Sequence, residues 1–126
     1  MKVKVTSKID PKGNAYVKKL MQEALVETAD ALKSDLEQSQ IMPFDTGALQ
    51  NRSTFIDDSK KNSGVVSIVS DTVYARRLYF HPEYHYQKTH NKNAGGAWFE
   101  SYINGNKKKF ATKTFTKILK GKLKWL

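Results

Sequence analysis

The chain has 126 residues, 39% hydrophobic and 11% aromatic, which is enough for one domain with a core of modest size. It has no cysteine, which excludes disulfides, thiolate nucleophiles and cysteine-ligated metals, and its 27% of charged residues argues against wholesale disorder. The net charge of +10 is unevenly spread: residues 101–126 hold eight lysines and no acid, while residues 15–50 hold six acids and three lysines. Such polarity suits contact between copies of the chain as well as contact with a polyanion.

The opening Met1–Lys8 has basic residues but no apolar stretch behind them, so no signal peptide is expected. No apolar run approaches the roughly 18 residues needed to cross a bilayer, so a cytoplasmic origin without membrane contact is expected. Lys2 to Thr6 alternates strictly and reads as a half-buried or edge strand. Asp10-Pro11 offers a capped helix start, and Gly13-Asn14 a competing one. From about Ala15 to Glu37 the residues Val17, Leu20, Met21, Ala24, Leu25, Ala31, Leu32 and Leu36 form one stripe at helical spacing. Pro43 and Gly47 end this helix in a turn, since proline biases Met42 out of helix and glycine accepts positive φ.

Two strands rich in β-branched residues follow, Ser53 to Asp58 and Val65 to Ser70, joined by the polar loop Ser59 to Gly64. Val65, Val66, Ile68 and Val69 are apolar on both faces, which predicts an inner strand. Asp71-Thr72 can cap a short helix over Val73 to Tyr79. Residues 81–97 read as a long loop, and loops of that length tend to be functional. Trp98, Phe99, Tyr102 and Ile103 begin an aromatic helical segment, Asn104-Gly105-Asn106 interrupts it, and a last helix is expected from Lys107 to Lys120.

Reactive chemistry is poorly supported. His81, His85 and His90 have only Glu83 as a nearby carboxylate, short of the four converging ligands that zinc usually takes, so they read as solvated loop histidines. Asp45-Thr46-Gly47 matches the aspartic-protease triplet, but those enzymes need two such carboxylates and the chain has one copy. No serine sits in a nucleophile elbow, and no phosphate-binding glycine pattern is present. No catalytic, cofactor or metal residue is therefore assigned. Phe110, Phe115 and Trp125 lie among the eight terminal lysines, a pattern that can grip phosphates. The spacing of Phe115, Ile118 and Leu119 favours packing for the aromatics and leaves the lysines unexplained.

Three stretches, Pro43-Phe44-Asp45-Thr46-Gly47-Ala48-Leu49, Tyr74-Ala75-Arg76-Arg77-Leu78-Tyr79-Phe80 and Asn93-Ala94-Gly95-Gly96-Ala97-Trp98-Phe99-Glu100, together carry a resemblance that covers about residues 15–120. The chain resembles the minor capsid and tail-completion proteins of long-tailed bacteriophages, the head–tail connector group. It departs from that group's pattern at Arg52-Ser53 and at His81-Pro82. The resemblance implies one α+β domain over residues 1–126, with a long N-terminal helix packed on a small antiparallel sheet and a C-terminal helix. It implies a virion protein of the neck without enzymatic activity, made in the host bacterial cytoplasm. Its partners would be copies of itself in a ring, and portal-side, neck and tail proteins.

Pro43, Asp45, Thr46 and Gly47 are expected to be a structural turn. Arg76, Arg77, Tyr84, Tyr86, Trp98, Lys107, Lys108 and Lys109 are the expected partner contacts, with non-specific DNA contact possible for the lysines. Pairing of the acidic helix zone with the basic tail of a neighbouring copy is a further expectation. The alternative function is a small basic nucleic-acid-binding protein that uses the lysine-rich end.

Overall fold

The computed structural model describes residues 1–8, 13–42, 54–84, 86, 88 and 93–124. The Pro43–Leu49 turn, the Asp10-Pro11 start, Ser53, His85, His90 and Trp125 lie outside the described residues. The architecture is α+β, as expected: a long N-terminal helix, a three-stranded antiparallel sheet and a C-terminal helix. Strand β1 is Lys2–Thr6, helix α1 Ala15–Gln38, β2 Thr54–Asp57, β3 Val65–Ser70, α2 Val73–Tyr79, α3 Glu100–Ile103 and α4 Phe110–Leu123.

Helix α1 starts at the second of the two sites legible in the sequence. The Asn14 side chain accepts hydrogen bonds from the backbone N–H groups of Tyr16 at 2.8 Å and Val17 at 3.2 Å, which satisfies two of the donors a helix start leaves open. Leu25, Ala29, Leu32 and Leu36 are fully or almost fully buried along one stripe. Two layers share the task of covering this helix. The sheet meets it through Val3, Val5, Val66 and Ile68, and α4 lies along its flank with Phe110, Ala111 and Phe115 partly buried against the same core. Lys107, just before α4, reaches Asp35 near the end of α1, and Lys122 near the end of α4 reaches Glu23 and Glu27. The two helices are therefore antiparallel.

The sheet order is β1-β3-β2, so the strand that is apolar on both faces is the central one and Lys2–Thr6 is an edge. Val3 and Val5 face the helix while Lys2, Lys4 and Thr6 face outward. The β2–β3 connection turns through a short 3₁₀ segment, Lys61–Ser63, and closes on Gly64 at φ 79°, where glycine carries no steric penalty. At the far end of the sheet the buried Ser70 hydroxyl lies 2.7 Å from Thr54 Oγ1 and accepts the indole N–H of Trp98 at 3.3 Å. These contacts give the buried polar atoms partners, as burial requires.

Three boundaries differ from the sequence reading. Trp98 and Phe99 precede α3 in a turn, so the aromatic helical segment is only Glu100–Ile103. The terminal helix starts at Phe110 and runs to Leu123, because Asn104 to Lys109 form a reversal that carries Lys107 back to Asp35. Trp98, expected at a contact surface, is 1% exposed. Its large apolar ring stands edge-on to Tyr79 at 4.9 Å, and its one polar atom is bonded inside, so nothing is gained by leaving it in water.

Gly96 is where the segment before α3 crosses α2 most closely. A Cβ there would stand 2.9 Å from Leu78 O, 3.0 Å from Tyr79 O and 3.1 Å from Pro82 Cα, all backbone atoms. Gly96→Ala is expected to lower stability by about 1–3 kcal/mol through overpacking. The check is the urea midpoint of the variant, and an unchanged midpoint would mean that the crossing yields at little cost.

Candidate interaction surface

Helix α2 is short, and its exposed side is unusually apolar. Thr72 caps it, accepting the Ala75 N–H at 3.0 Å, and Ala75, Leu78 and Tyr79 turn toward the core. That orientation leaves Val73 80% exposed, Tyr74 54% and Phe80 66%, with Arg76 and Arg77 exposed beside them. Three large apolar side chains within eight residues exceed the scatter of single exposed hydrophobics that a monomer carries. Arg76 lies 3.4 Å from Asp71, an exposed pair that contributes little by itself.

The loop after α2 extends this surface. Tyr84 stacks on His81 with ring centroids 4.5 Å apart and planes 6° from parallel, and is 38% exposed. His81 Nδ1 is 2.7 Å from Glu83 Oε1, and that hydrogen bond holds the Glu83 carboxyl below its usual range. Tyr86 behaves differently from its neighbour. Its hydroxyl lies 2.5 Å from Leu78 O and 2.6 Å from His81 O, and the ring is partly buried. It ties the loop to the end of α2, and burial is the main cause of the raised pKa of its phenol. Of the expected contacts, Arg76, Arg77 and Tyr84 are therefore exposed, the arginines on α2 and Tyr84 on the loop after it, while Tyr86 is a tether and Trp98 is core.

The lysines divide in the same way. Lys107 Nζ donates to Asp35 Oδ2 at 2.8 Å, the same oxygen that accepts the Tyr102 hydroxyl at 2.6 Å. Burial alone would raise the Asp35 carboxyl, but the hydrogen bonds from Lys107 and Tyr102 and the Lys107 charge outweigh it and hold the pKa low. The Tyr102 phenol is pushed well above its ordinary value by burial and by that carboxylate. Lys122 is 3.1 Å from Glu27 and 3.6 Å from Glu23. Three acids of α1, Glu23, Glu27 and Asp35, are thus met by lysines of the chain's own C-terminal segment, and Glu37 by Lys33 within α1.

Lys108 and Lys109 are exposed. Lys109, Lys113, Lys117, Lys120 and Lys124 fall at spacings of three and four, so they line the solvent face of α4. Among the described residues none of these five has an acidic partner within salt-bridge distance.

The sequence reading missed Val73, Tyr74 and Phe80 as surface residues. The signal was available, because a helix that turns Ala75, Leu78 and Tyr79 inward must turn those three outward. Among the described residues no three His, Cys, Asp or Glu side chains are grouped as metal ligands, and no helix is long and apolar enough to cross a membrane. Compared with protein families, curated proteins and solved structures, the chain matches none.

The Asp35 carboxyl has its pKa lowered by folding, so its stabilisation is present above the unfolded value of about 4 and is lost as pH falls through the folded value. Asp35→Asn is expected to cost about 1–2 kcal/mol at neutral pH and to flatten the acid side of the stability profile below about pH 4. Urea unfolding of both proteins at several pH values checks this, and parallel profiles would show that the carboxylate contributes nothing.

Proposed function

We propose that the chain is a non-enzymatic structural protein of a tailed bacteriophage or prophage particle that acts in head–tail joining at the neck. It would work as a ring of copies in contact with portal-side, neck and tail proteins. One observation carries the reading: stretches that bear the resemblance to connector proteins are built into a single corner of the fold. Ala97 N–H donates to Tyr79 O at 2.8 Å and Trp98 packs on Tyr79, which joins the third stretch to the second. Asn93 N–H donates to Gln40 O and Gly95 N–H to Ile41 O, both at 3.1 Å, which joins the third stretch to the end of α1, directly before Pro43. Segments 74–80 and 93–100 thus act together as scaffold, and the apolar face of α2 is displayed from that corner. A rigid aromatic surface with flanking arginines is suited to docking on another protein.

A specific observation favours a second reading. The lysine stripe Lys113–Lys124 spans about 16 Å of helix at 1.5 Å per residue, and a non-specific nucleic-acid-binding protein could use it against phosphates.

Electron microscopy of particles made without this gene product separates the readings. Filled heads lacking tails are expected, and complete infectious particles would refute the connector role. Adding back Tyr74→Ser/Phe80→Ser protein is expected to leave heads untailed while the protein stays folded, because both side chains are solvent-exposed. Duplex DNA of random sequence should bind weakly at about 0.15 M salt. Tight binding with a steep salt slope would favour the second reading.

A further inference from the structure

Among the described residues no further strand covers β1 or β2, and the two edges carry opposite charge. On β1, Ser70 N–H donates to Met1 O and Ser7 N–H to Gly64 O, so the odd-numbered residues bond inward to β3. By the alternation of an antiparallel ladder, the N–H and C=O groups of Lys2, Lys4 and Thr6 point away from the sheet. No described residue bonds to them on that side. The same alternation across β3 turns the N–H and C=O of Ile56 to the free side of β2. The β1 edge carries the exposed side chains of Lys2 and Lys4, and the β2 edge carries the exposed Asp57, followed by Asp58. Unpaired strand edges are templates for a further strand.

We propose that the β1 edge of one copy takes up the β2 edge of a second copy as a parallel strand, making one sheet continuous across subunits. Because both edges are antiparallel to β3, they run in the same direction, and a neighbour in the same orientation presents β2 parallel to β1. Lys4 and Asp57 both pair with Ser67, and Lys2 and Phe55 both pair with Val69, so each couple lies in one row on one face. Continuing those rows sets Lys4 beside Asp57 of the partner subunit. Ile56 of the partner subunit then bonds through its N–H to Lys2 C=O and through its C=O to Lys4 N–H, the spacing that a parallel ladder requires.

The side chains agree with this register. Ile56 faces the helix layer, and beside β1 lies a crevice of about 260 Å³ whose lining mixes the apolar Val3, Val5, Leu32 and Phe115 with polar groups of Lys108 and Thr112. Ile56 of the partner subunit, partly buried on its own core, would border that crevice when set opposite Val3. Charge selects the arrangement. A two-fold β1–β1 contact would oppose lysines, whereas the β1–β2 contact opposes Lys4 and Asp57. That contact is head-to-tail, and head-to-tail contacts close into rings when the rotation permits. The inference deepens the connector reading, on which the closed ring rests.

The absence of native cysteine makes disulfide trapping clean. In Lys2→Cys/Phe55→Cys protein the two positions in one chain are two strand spacings apart, about 9.6 Å, beyond the roughly 7 Å that a disulfide tolerates between Cα atoms. Across the proposed contact they are one spacing apart, about 4.8 Å, and within reach. Oxidation of the purified protein should give a ladder of covalent multimers. Introducing Lys4→Glu or Asp57→Lys alone into that background should cut multimers by about tenfold or more, and the two together should restore them. Monomers alone after oxidation, or a ladder indifferent to the charge reversals, would overturn the proposal. The outcome is read on isolated protein, so it is separate from the microscopy: multimers with normal tailed particles would keep the contact and remove the neck role.

Discussion

Helix α1 has more apolar surface than one neighbour can cover, and the remaining elements are arranged around that constraint. Its fully or almost fully buried residues include Ala24, Ala29 and Thr28 as well as Leu25, Leu32 and Leu36, so other elements come close to the helix on more than one side. The sheet supplies one cover and α4 the other. Thr28 is tolerated there because its hydroxyl donates back to Ala24 O at 2.7 Å and leaves no unmet polar atom. The burial is nondirectional and sets the layers. What fixes the helix register against α4 is polar: Asp35 with Lys107 and Tyr102 at one end, Glu23 and Glu27 with Lys122 at the other. Exposed pairs of the second kind add little energy, so the partly buried Asp35 cluster is the stronger of the two locks.

Much of this was legible from the chain itself. Strand and helix periods placed β1, α1, β3 and α2 almost to the residue, because each has a local reason to form: alternation, an apolar stripe, a double apolar face, a Thr72 cap. The polar reversal from Asn104 to Lys109 was harder. Helical propensity over Lys107–Lys109 is unobjectionable, and the turn there is held by local backbone bonds such as Lys107 N–H to Ser101 O together with the distant Asp35. Contacts separated by some seventy residues leave no trace in a local window. Trp98 failed for a related reason. An aromatic in a glycine-bearing segment reads equally well as anchor or as surface, and the choice was made by Ser70, which offers its indole a buried acceptor. The division of the lysines was hidden too, since composition counts charge and says nothing about which charges the fold has already paired.

The same division bears on what the surface is for. The acids of α1 and the basic tail look like complementary patches in the linear sequence, and the fold joins Asp35, Glu23 and Glu27 to Lys107 and Lys122 within one subunit, while five lysines of the tail meet no described acid. The complementarity left over lies elsewhere, on the two edges of the sheet. Edge strands are usually blunted by charge, proline or bulges, and Lys2 and Lys4 are charges of that kind on β1. Blunting by one sign on one edge and by the opposite sign on the other has a different consequence. It disfavours pairing of the β1 edge with itself and suits pairing of the β1 edge with the β2 edge. Under the proposed edge pairing, assembly would be directional rather than two-fold, and a directional contact can close into a ring.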